Sequence, residues 1–429
     1  MEQRDILDVI GVGVGPFNLG LAALIDKTDC TYKCFEQKKE FNWHPGMLLE
    51  GTTLQVPFMA DVVTMVDPKS PYTFLNYLHE HERLYQFYFF EKFHIPRNEY
   101  NHYCRWVASQ LSGLEFNSTV KEVKMHEDAK PFYEVTIEKE GKLHTYYSYH
   151  LVTGVGTQPV VPRDFQSVAS DTFYHSAQYK MNREQTLKAK SITVIGSGQS
   201  AAEIVYDLLQ QQPQFDYKLN WYTRSKGFYP MEYSKLGLEH FSPDYTHYFY
   251  RLPQEKKESV LRNQALLYKG ISFETIGDIY DLIYERTIGG KEVPLTMRAL
   301  TELAGVEKTN DTHLLTLHQY EQDSFEKEES EIVIMATGYH AKEPAFMEGL
   351  KEHLLFDEKG QLKINELYQV EMKKKGAPLF VQNGELHTHG VGAPDLGLGA
   401  YRNAVLINQI AGENVYKIYK NTVFQKFGF

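Results

Sequence analysis

The amino-acid sequence predicts an α/β protein with two Rossmann-like dinucleotide-binding domains and a small, mostly helical insertion. Two stretches carry that expectation: "ILDVIGVGVGPFNLGLAALID", Ile6 to Asp26, and "SITVIGSGQSAAEIVYDLLQQ", Ser191 to Gln211. Each is an apolar run that meets glycines and continues at helical spacing, the pattern of strand, tight turn and helix. The third observation is an aromatic, helix-periodic segment between about Gly227 and Gly290 that interrupts the second unit. A chain of 429 residues has room for about three units of domain size.

The elements follow in order. After the first unit, "TYKCFE" reads as a strand ending at Glu36, and it takes in Cys34 and, with "CTYKC", Cys30. Helices are expected at "SPYTFLNYLHEH", with Ser70 as cap and Pro71 at the first helical position, and at "NEYNHYCRWVASQL". From about Glu115 to Gly156 the period is that of strands, with a turn at Glu140–Lys142. "KLNWYTRS" follows the second helix as a strand, "EKKESVLRNQALLYKG" and "TIGDIYDLIYERTIGG" are helical, and "THLLTLHQY", "SEIVIMATGY" and "PLFVQNG" are strands before the closing helix "AYRNAVLINQIAG".

Composition narrows the function classes. Apolar residues make up 42% and charged residues 24%, as in ordinary globular proteins, and the formal net charge is −11, which repels nucleic-acid phosphates and anionic lipid surfaces. The three cysteines, Cys30, Cys34 and Cys104, form no C-x-x-C pair, so neither a redox disulfide nor a zinc site is expected. No signal peptide or membrane-spanning run is read, and a cytoplasmic protein is expected.

In the first unit, Gly11 and Gly13 permit the turn and the close approach of a pyrophosphate to the next helix N-terminus, while Gly15 and Pro16 replace the usual final positions. Glu36, 25 residues after Gly11, stands where a carboxylate accepts hydrogen bonds from ribose hydroxyls, which suits FAD. The second unit has Gly196, Gly198 and Ala201. Arg224, Ser225 and Lys226 take the place of the acid, and cations there pair with a ribose 2′-phosphate, which suits NADPH. Alone, "TRSK" reads equally as a solvated turn.

Together with "FNWHPGM", "LQVPFMADVVTMVDPKSPYTFLNYL", "CRW", "EIVIMATGYHAKEP" and "HTHGVGAPDLGLGAYRNA", these motifs resemble the flavin-dependent N-hydroxylating monooxygenases of siderophore assembly, the lysine and ornithine N-hydroxylases and their diamine relatives. The resemblance spans nearly the whole chain. It implies an FAD domain split over 1–160 and 337–429, an NADPH domain over 161–226 and 291–336, and a substrate insertion over 227–290. It further implies hydride transfer from NADPH to FAD, oxygen uptake as a C4a-hydroperoxide, and attack on it by a neutral primary amine, with O2 as co-substrate and a homo-oligomer, dimer or tetramer, as the assembly. On the same ground Gln37, Trp43, His44 and Gln55 are assigned to FAD, Gln199 and Ser200 to NADPH, and Thr337, Gly338, Tyr339 and Asn383 to the cofactors. No side chain is given an acid or base role. His387 and His389, despite H-x-H spacing, are read as packing groups rather than a metal site.

Substrate choice turns on "VPFMAD". The resembling lysine and ornithine enzymes carry Lys before the Asp, pairing with the substrate carboxylate, and this chain has Ala60. A buried carboxylate lacking its cation costs roughly 3–5 kcal/mol. Leu238 likewise stands where those enzymes offer Asn. Both departures favour an aliphatic diamine, putrescine, cadaverine or 1,3-diaminopropane, over L-lysine or L-ornithine. Glu239 and Ser272 are substrate candidates, and Glu232, Glu239 and Asp244 are candidate acceptors for the far ammonium, although each carboxylate reads more readily as a solvated group. Lys69, in "DPKSP", is expected to face solvent. Alternatives of other classes are a flavin-bound NADPH redox sensor and, less consistent with the cysteines, a disulfide reductase.

Overall fold

The computed structural model describes residues 5–429. Its first unit is a seven-stranded sheet in which Leu114–Glu115, Tyr32–Phe35, Ile6–Val12 and Lys142–Thr153 run parallel, with Gly11 opposite Cys34 on one side and Val152 on the other. Strand Lys142–Thr153 is long enough to serve two partners on its other edge. Its first half pairs antiparallel with Phe132–Lys139, which pairs in turn with Ser118–His126, while Leu151 to Thr153 pair in parallel with Leu379–Val381. The chain thus rejoins its first sheet at Leu379, long after leaving it at Thr153. The expected turn is a two-residue hairpin in which Glu140 (φ 52°) and Gly141 (φ 74°) are both left-handed, as the strand twist favours.

The second unit is a parallel sheet ordered Leu295–Arg298, Lys218–Tyr222, Ser191–Ile195, Ile332–Met335 and Phe173–His175. A three-stranded antiparallel sheet, Thr301–Lys308, His313–Gln319 and Ser324–Ser330, is appended. Only its middle strand is legible in the sequence. Thr157–Pro159 and Tyr339–Ala341, which carry the chain out to the second unit and back, pair with each other, and the Thr337 hydroxyl donates to the Val160 carbonyl.

Separate cores hold the two units. Helices Pro16–Ile25, Arg97–Gln110 and Gly399–Ala411 bury Leu21, Leu24, Tyr103, Val107, Leu406 and Ile407 on one side, while Ile192, Val194, Leu208, Trp221 and Ile334 fill the other. The inserted helices Pro243–Arg251 and Gln254–Asn263 carry a smaller cluster around Tyr245, Phe249 and Val391.

Two local expectations shift. The helix expected from Pro71 begins at Phe74, because Thr73, not Ser70, caps it (Asn76 N–H to the Thr73 hydroxyl, 3.2 Å), and buried Asp61 accepts the Phe74 N–H at 2.7 Å. Cys30 lies outside the strand and is only half-buried, whereas Cys34 is buried in it.

Candidate active site

A cleft of about 3190 Å³ separates the two units and is closed at one end by the insertion. Two helix N-termini face it, those of Pro16–Ile25 and Gln199–Phe215, and each has a glycine N-cap, Gly15 or Gly198, with no side-chain cap. The first amides of both helices are therefore free of intrahelical partners, which leaves two anion sites. A Cβ added at Gly15 or Gly198 meets nothing within 4 Å, so the space before each helix is open. Gly13 (φ 85°) and Gly196 (φ 139°) make the preceding turns, and a Cβ on either would strike a backbone carbonyl, Gly154 or Ala336.

Around the first turn, the Glu36 carboxylate accepts the Val14 N–H (2.8 Å) and the Lys38 N–H (2.9 Å) at the cleft wall. Gln37, Trp43, His44 and Gln55 also line the cleft. Gln55 Nε2 is buried with no hydrogen-bond partner among the described residues, a donor that asks for an acceptor in the cleft. His44 is left-handed (φ 46°), and Gly46 lies so close to the Ala177 carbonyl that no side chain fits. Burial, together with Arg97 and Lys38, pushes the His44 imidazole down to about 4, so the ring is neutral near pH 7. Its ring lies edge-on to both Trp43 (5.0 Å) and Tyr339 (5.3 Å), and Tyr339 in turn contacts His175 (5.2 Å), so one aromatic row crosses from unit to unit.

At the second turn the Ser197 hydroxyl donates to the Ser225 hydroxyl (2.9 Å), and Ser200, exposed Arg224 and Ser225 line the cleft while Lys226 does not. The Gln199 side chain is already engaged: it accepts the Ser272 N–H (2.7 Å) and donates to Thr275 (3.0 Å) and Glu203 (3.0 Å), tying the inserted helix Phe273–Thr287 to the nucleotide turn. Ser272, Thr337, Gly338, Tyr339 and Asn383 (φ 60°) line the cleft.

Sequence reasoning passed over Arg97 and Glu203. Arg97, 11% exposed in its side chain, pairs bidentately with Glu203, 4% exposed, at 2.7 and 2.9 Å, and also donates to the Met47 and Thr53 carbonyls. One side chain therefore holds the His44 loop, the Gln55 loop and the second unit together. Nothing in the local pattern marks it, since the two partners lie 106 residues apart.

At the insertion end, Ala60 is 5% exposed and lines the cleft, as do Leu238, Tyr401 and Asp395. Asp61, beside it in sequence, is turned away and holds the loop by accepting from the Val63 and Thr64 amides, the Thr64 hydroxyl and the Phe74 amide. Asp395 is the group that sequence reasoning missed here. A Cβ at Gly397 would lie 2.8 Å from Asp395 Oδ1 and 3.8 Å from the Ala60 Cβ, so the carboxylate and Ala60 flank one glycine. Asp395 accepts the Gly397 N–H (2.8 Å), and burial pushes its carboxyl up to about 6. The local signals for it are its place in the "HTHGVGAPDLGLGAYRNA" motif and the cap pattern Asp-Leu-Gly.

The other proposed acceptors lie elsewhere. Glu239 and Asp244 do not line the cleft, and their carboxylates accept backbone amides of residues 421–425. Glu232 accepts the Ser234 N–H and is exposed at the surface, as is Lys69. His387 lines the cleft, but its Nε2 donates to the Leu362 carbonyl (2.8 Å), and His389 stacks on Tyr368 at 4.2 Å.

The profile of the L-lysine 6-monooxygenase/L-ornithine 5-monooxygenase family matches residues 5–341. The chain belongs to this family. Within it, the putrescine N-hydroxylase of Shewanella oneidensis is 43% identical over 99% of this chain and 85% of its own. The rhizobactin siderophore biosynthesis protein of Rhizobium meliloti is 43% identical over 98% of this chain and 95% of its own. Among solved structures, the FAD-bound cadaverine monooxygenase of the desferrioxamine pathway from Erwinia amylovora superposes with a TM-score of 0.95 at 42% identity, covering 99% of both chains.

Proposed function

We propose that this chain N-hydroxylates one primary amine of an aliphatic diamine, putrescine, cadaverine or 1,3-diaminopropane, with FAD and NADPH, in siderophore assembly. The relatives named for putrescine and cadaverine support the substrate class. The observation that carries the reading is the insertion end of the cleft: apolar Ala60 stands beside the Asp395 carboxylate, an acceptor for an ammonium and not for a carboxylate.

The residues fit both cofactors. The Gly11 to Pro16 turn, Glu36 and the unpartnered Gln55 amide suit FAD, with Asn383 and the His44 loop beside it, and the Gly196 to Ser200 turn with Ser225 and Arg224 suits NADPH with its extra phosphate. When bound, the flavin reduced by NADPH supplies the activated oxygen. The chain's own part is positional. Asp395 holds the far ammonium, which draws the other amine toward the cleft interior, and the low polarity there favours the neutral form of a group whose pKa in water is near ~10.4. The neutral His44 ring and the Tyr339 row close the space between units without adding charge. Dioxygen is the co-substrate in this reading. The assembly is a dimer or tetramer of identical chains, consistent with a Leu84–Phe90 helix that leaves Tyr85, Tyr88 and Phe89 largely exposed.

One observation favours the amino acids instead: exposed Lys417 lines the cleft and is a cation within the site's outer wall. Mass spectrometry of products from putrescine, cadaverine, 1,3-diaminopropane, L-lysine and L-ornithine decides between the readings. Coupled hydroxylamine from the diamines is expected; faster turnover of either amino acid refutes the diamine reading, and no hydroxylamine from any amine leaves the redox sensor.

Two substitutions sharpen the test. Ala60→Lys places an ammonium beside Asp395, and diamine turnover is expected to fall at least tenfold as like charges meet. Gly198→Val adds a side chain where there is open space at an ordinary φ of −92°, so the melting temperature is expected to hold while KM for NADPH rises about tenfold or more through loss of the phosphate approach.

A further inference from the structure

Beyond the last helix the chain turns back across the insertion. The start of this segment is fixed on the first unit: the Tyr416 hydroxyl donates to the Leu24 carbonyl (2.6 Å), and the Tyr416 backbone pairs both ways with the Asn408 side chain (2.8 Å each). Next, Lys417, Ile418, Tyr419, Thr422 and Val423 line the same cleft as Ala60 and Asp395, and Ile418 packs on the same core as Val66, Leu396 and Tyr401. Two carboxylates of the insertion then catch the backbone. Asp244 accepts the Asn421 N–H (3.1 Å), the Thr422 N–H (2.8 Å) and the Thr422 hydroxyl, and Glu239 accepts the Phe424 N–H (3.0 Å) and the Gln425 N–H (2.9 Å). The Gln425 side chain donates to the Leu236 carbonyl (2.6 Å), and the Phe427 ring meets Tyr245 edge-on at 4.9 Å and His240 at 5.3 Å.

We infer that residues 417–425 form a strap, latched by Asp244 and Glu239, that walls the substrate end of the cleft and so sets which diamine length is hydroxylated and how little water enters. The inference rests on the diamine reading above. Its geometry explains why two acidic side chains of the insertion point at main-chain amides rather than at the cleft. The strap is held at discrete points rather than by a continuous core, since Tyr419 is 59% and Phe424 93% exposed. A hydrogen-bonded latch of this kind opens and recloses at low cost, which admits substrate.

The test uses the full-length chain loaded with FAD, comparing the unlatched Asp244→Ala/Glu239→Ala variant and the milder Ile418→Ala with wild type. Amide hydrogen exchange across 417–425, measured without turnover, is expected to speed up at least tenfold in the unlatched variant and to slow in wild type on adding putrescine or cadaverine. Hydroxylamine formed per NADPH consumed is expected to fall at least threefold in both variants, with KM for the preferred diamine rising at least fivefold and the preference among the three diamines flattening. Faster exchange with unchanged coupling, KM and preference shows a strap that is structural only and overturns the inference, as does exchange that does not change. If the unlatched variant does not fold, an Ile418→Ala enzyme with wild-type coupling and preference is sufficient to overturn it. Wild type making no hydroxylamine from any diamine instead refutes the function itself.

Discussion

Asp395→Asn is expected to raise KM for the diamine about 10- to 150-fold, because a hydrogen bond to a charged group contributes about 1.5–3 kcal/mol and about 1.4 kcal/mol is a factor of ten. The side chain keeps its size and its place beside Gly397, so loss of the negative charge is what the substitution measures. The pH dependence separates this from a packing effect. Asp395 titrates near 6 because burial disfavours its charged form, so at pH well above 6 it is a carboxylate that attracts the ammonium, and below 6 it is a neutral acid that does not. KM for putrescine in wild type is therefore expected to climb as pH falls through about 6, and the bound ammonium itself moves the bend to lower pH in the complex. Asparagine does not titrate, so the bend should vanish in the variant. A KM profile that keeps its acid limb in Asp395→Asn assigns the bend to another group and removes Asp395 from the site.

Arg97→Met is expected to cost about 3–5 kcal/mol, since it leaves the Glu203 carboxylate buried without its cation. Among the described residues only Gln199 still donates to it, through one amide hydrogen bond. The loss should not stay local. Arg97 also holds the Met47 and Thr53 carbonyls, so the loops carrying His44 and Gln55 loosen along with the contact between units. Urea unfolding should show the transition of the weakened unit shifting first, with amide exchange rising across residues 43–55. The Arg97→Met/Glu203→Met double variant, in which no buried charge is stranded, is expected to recover most of the stability, because well-packed apolar pairs replace buried ion pairs at little net cost. A double variant no more stable than the single one places the energy in the carbonyl contacts rather than in the ion pair.

Much of the fold was legible because its signals are local. A strand's period of two, a helix's period near 3.6 and a glycine that must turn left-handed are each written within a few residues, as at Ile6 to Ile25 and Ser191 to Phe215. The Glu140–Gly141 hairpin was legible for the same reason. Less legible were the edges and the add-ons: the Phe74 helix start depends on Asp61, thirteen residues away, and the outer strands Thr301–Lys308 and Ser324–Ser330 are polar on their exposed faces and give a weak alternation.

The site divides in the same way. The two nucleotide turns and the missing cation at Ala60 belong to the sequence itself, because glycine geometry and side-chain charge are properties of single positions. The proposed partner of the diamine is a property of the fold: Asp395 comes to Ala60 only when the Leu396–Leu398 turn is laid against the loop of residues 54–60, more than three hundred positions earlier in the chain. For Glu239 and Asp244, sequence supplied two carboxylates in the right segment, and tertiary structure turned them outward to hold residues 421–425. A carboxylate takes whichever donors folding brings within about 3 Å. Charge type is therefore fixed by the sequence, and the identity of its partner only by the packing of distant segments.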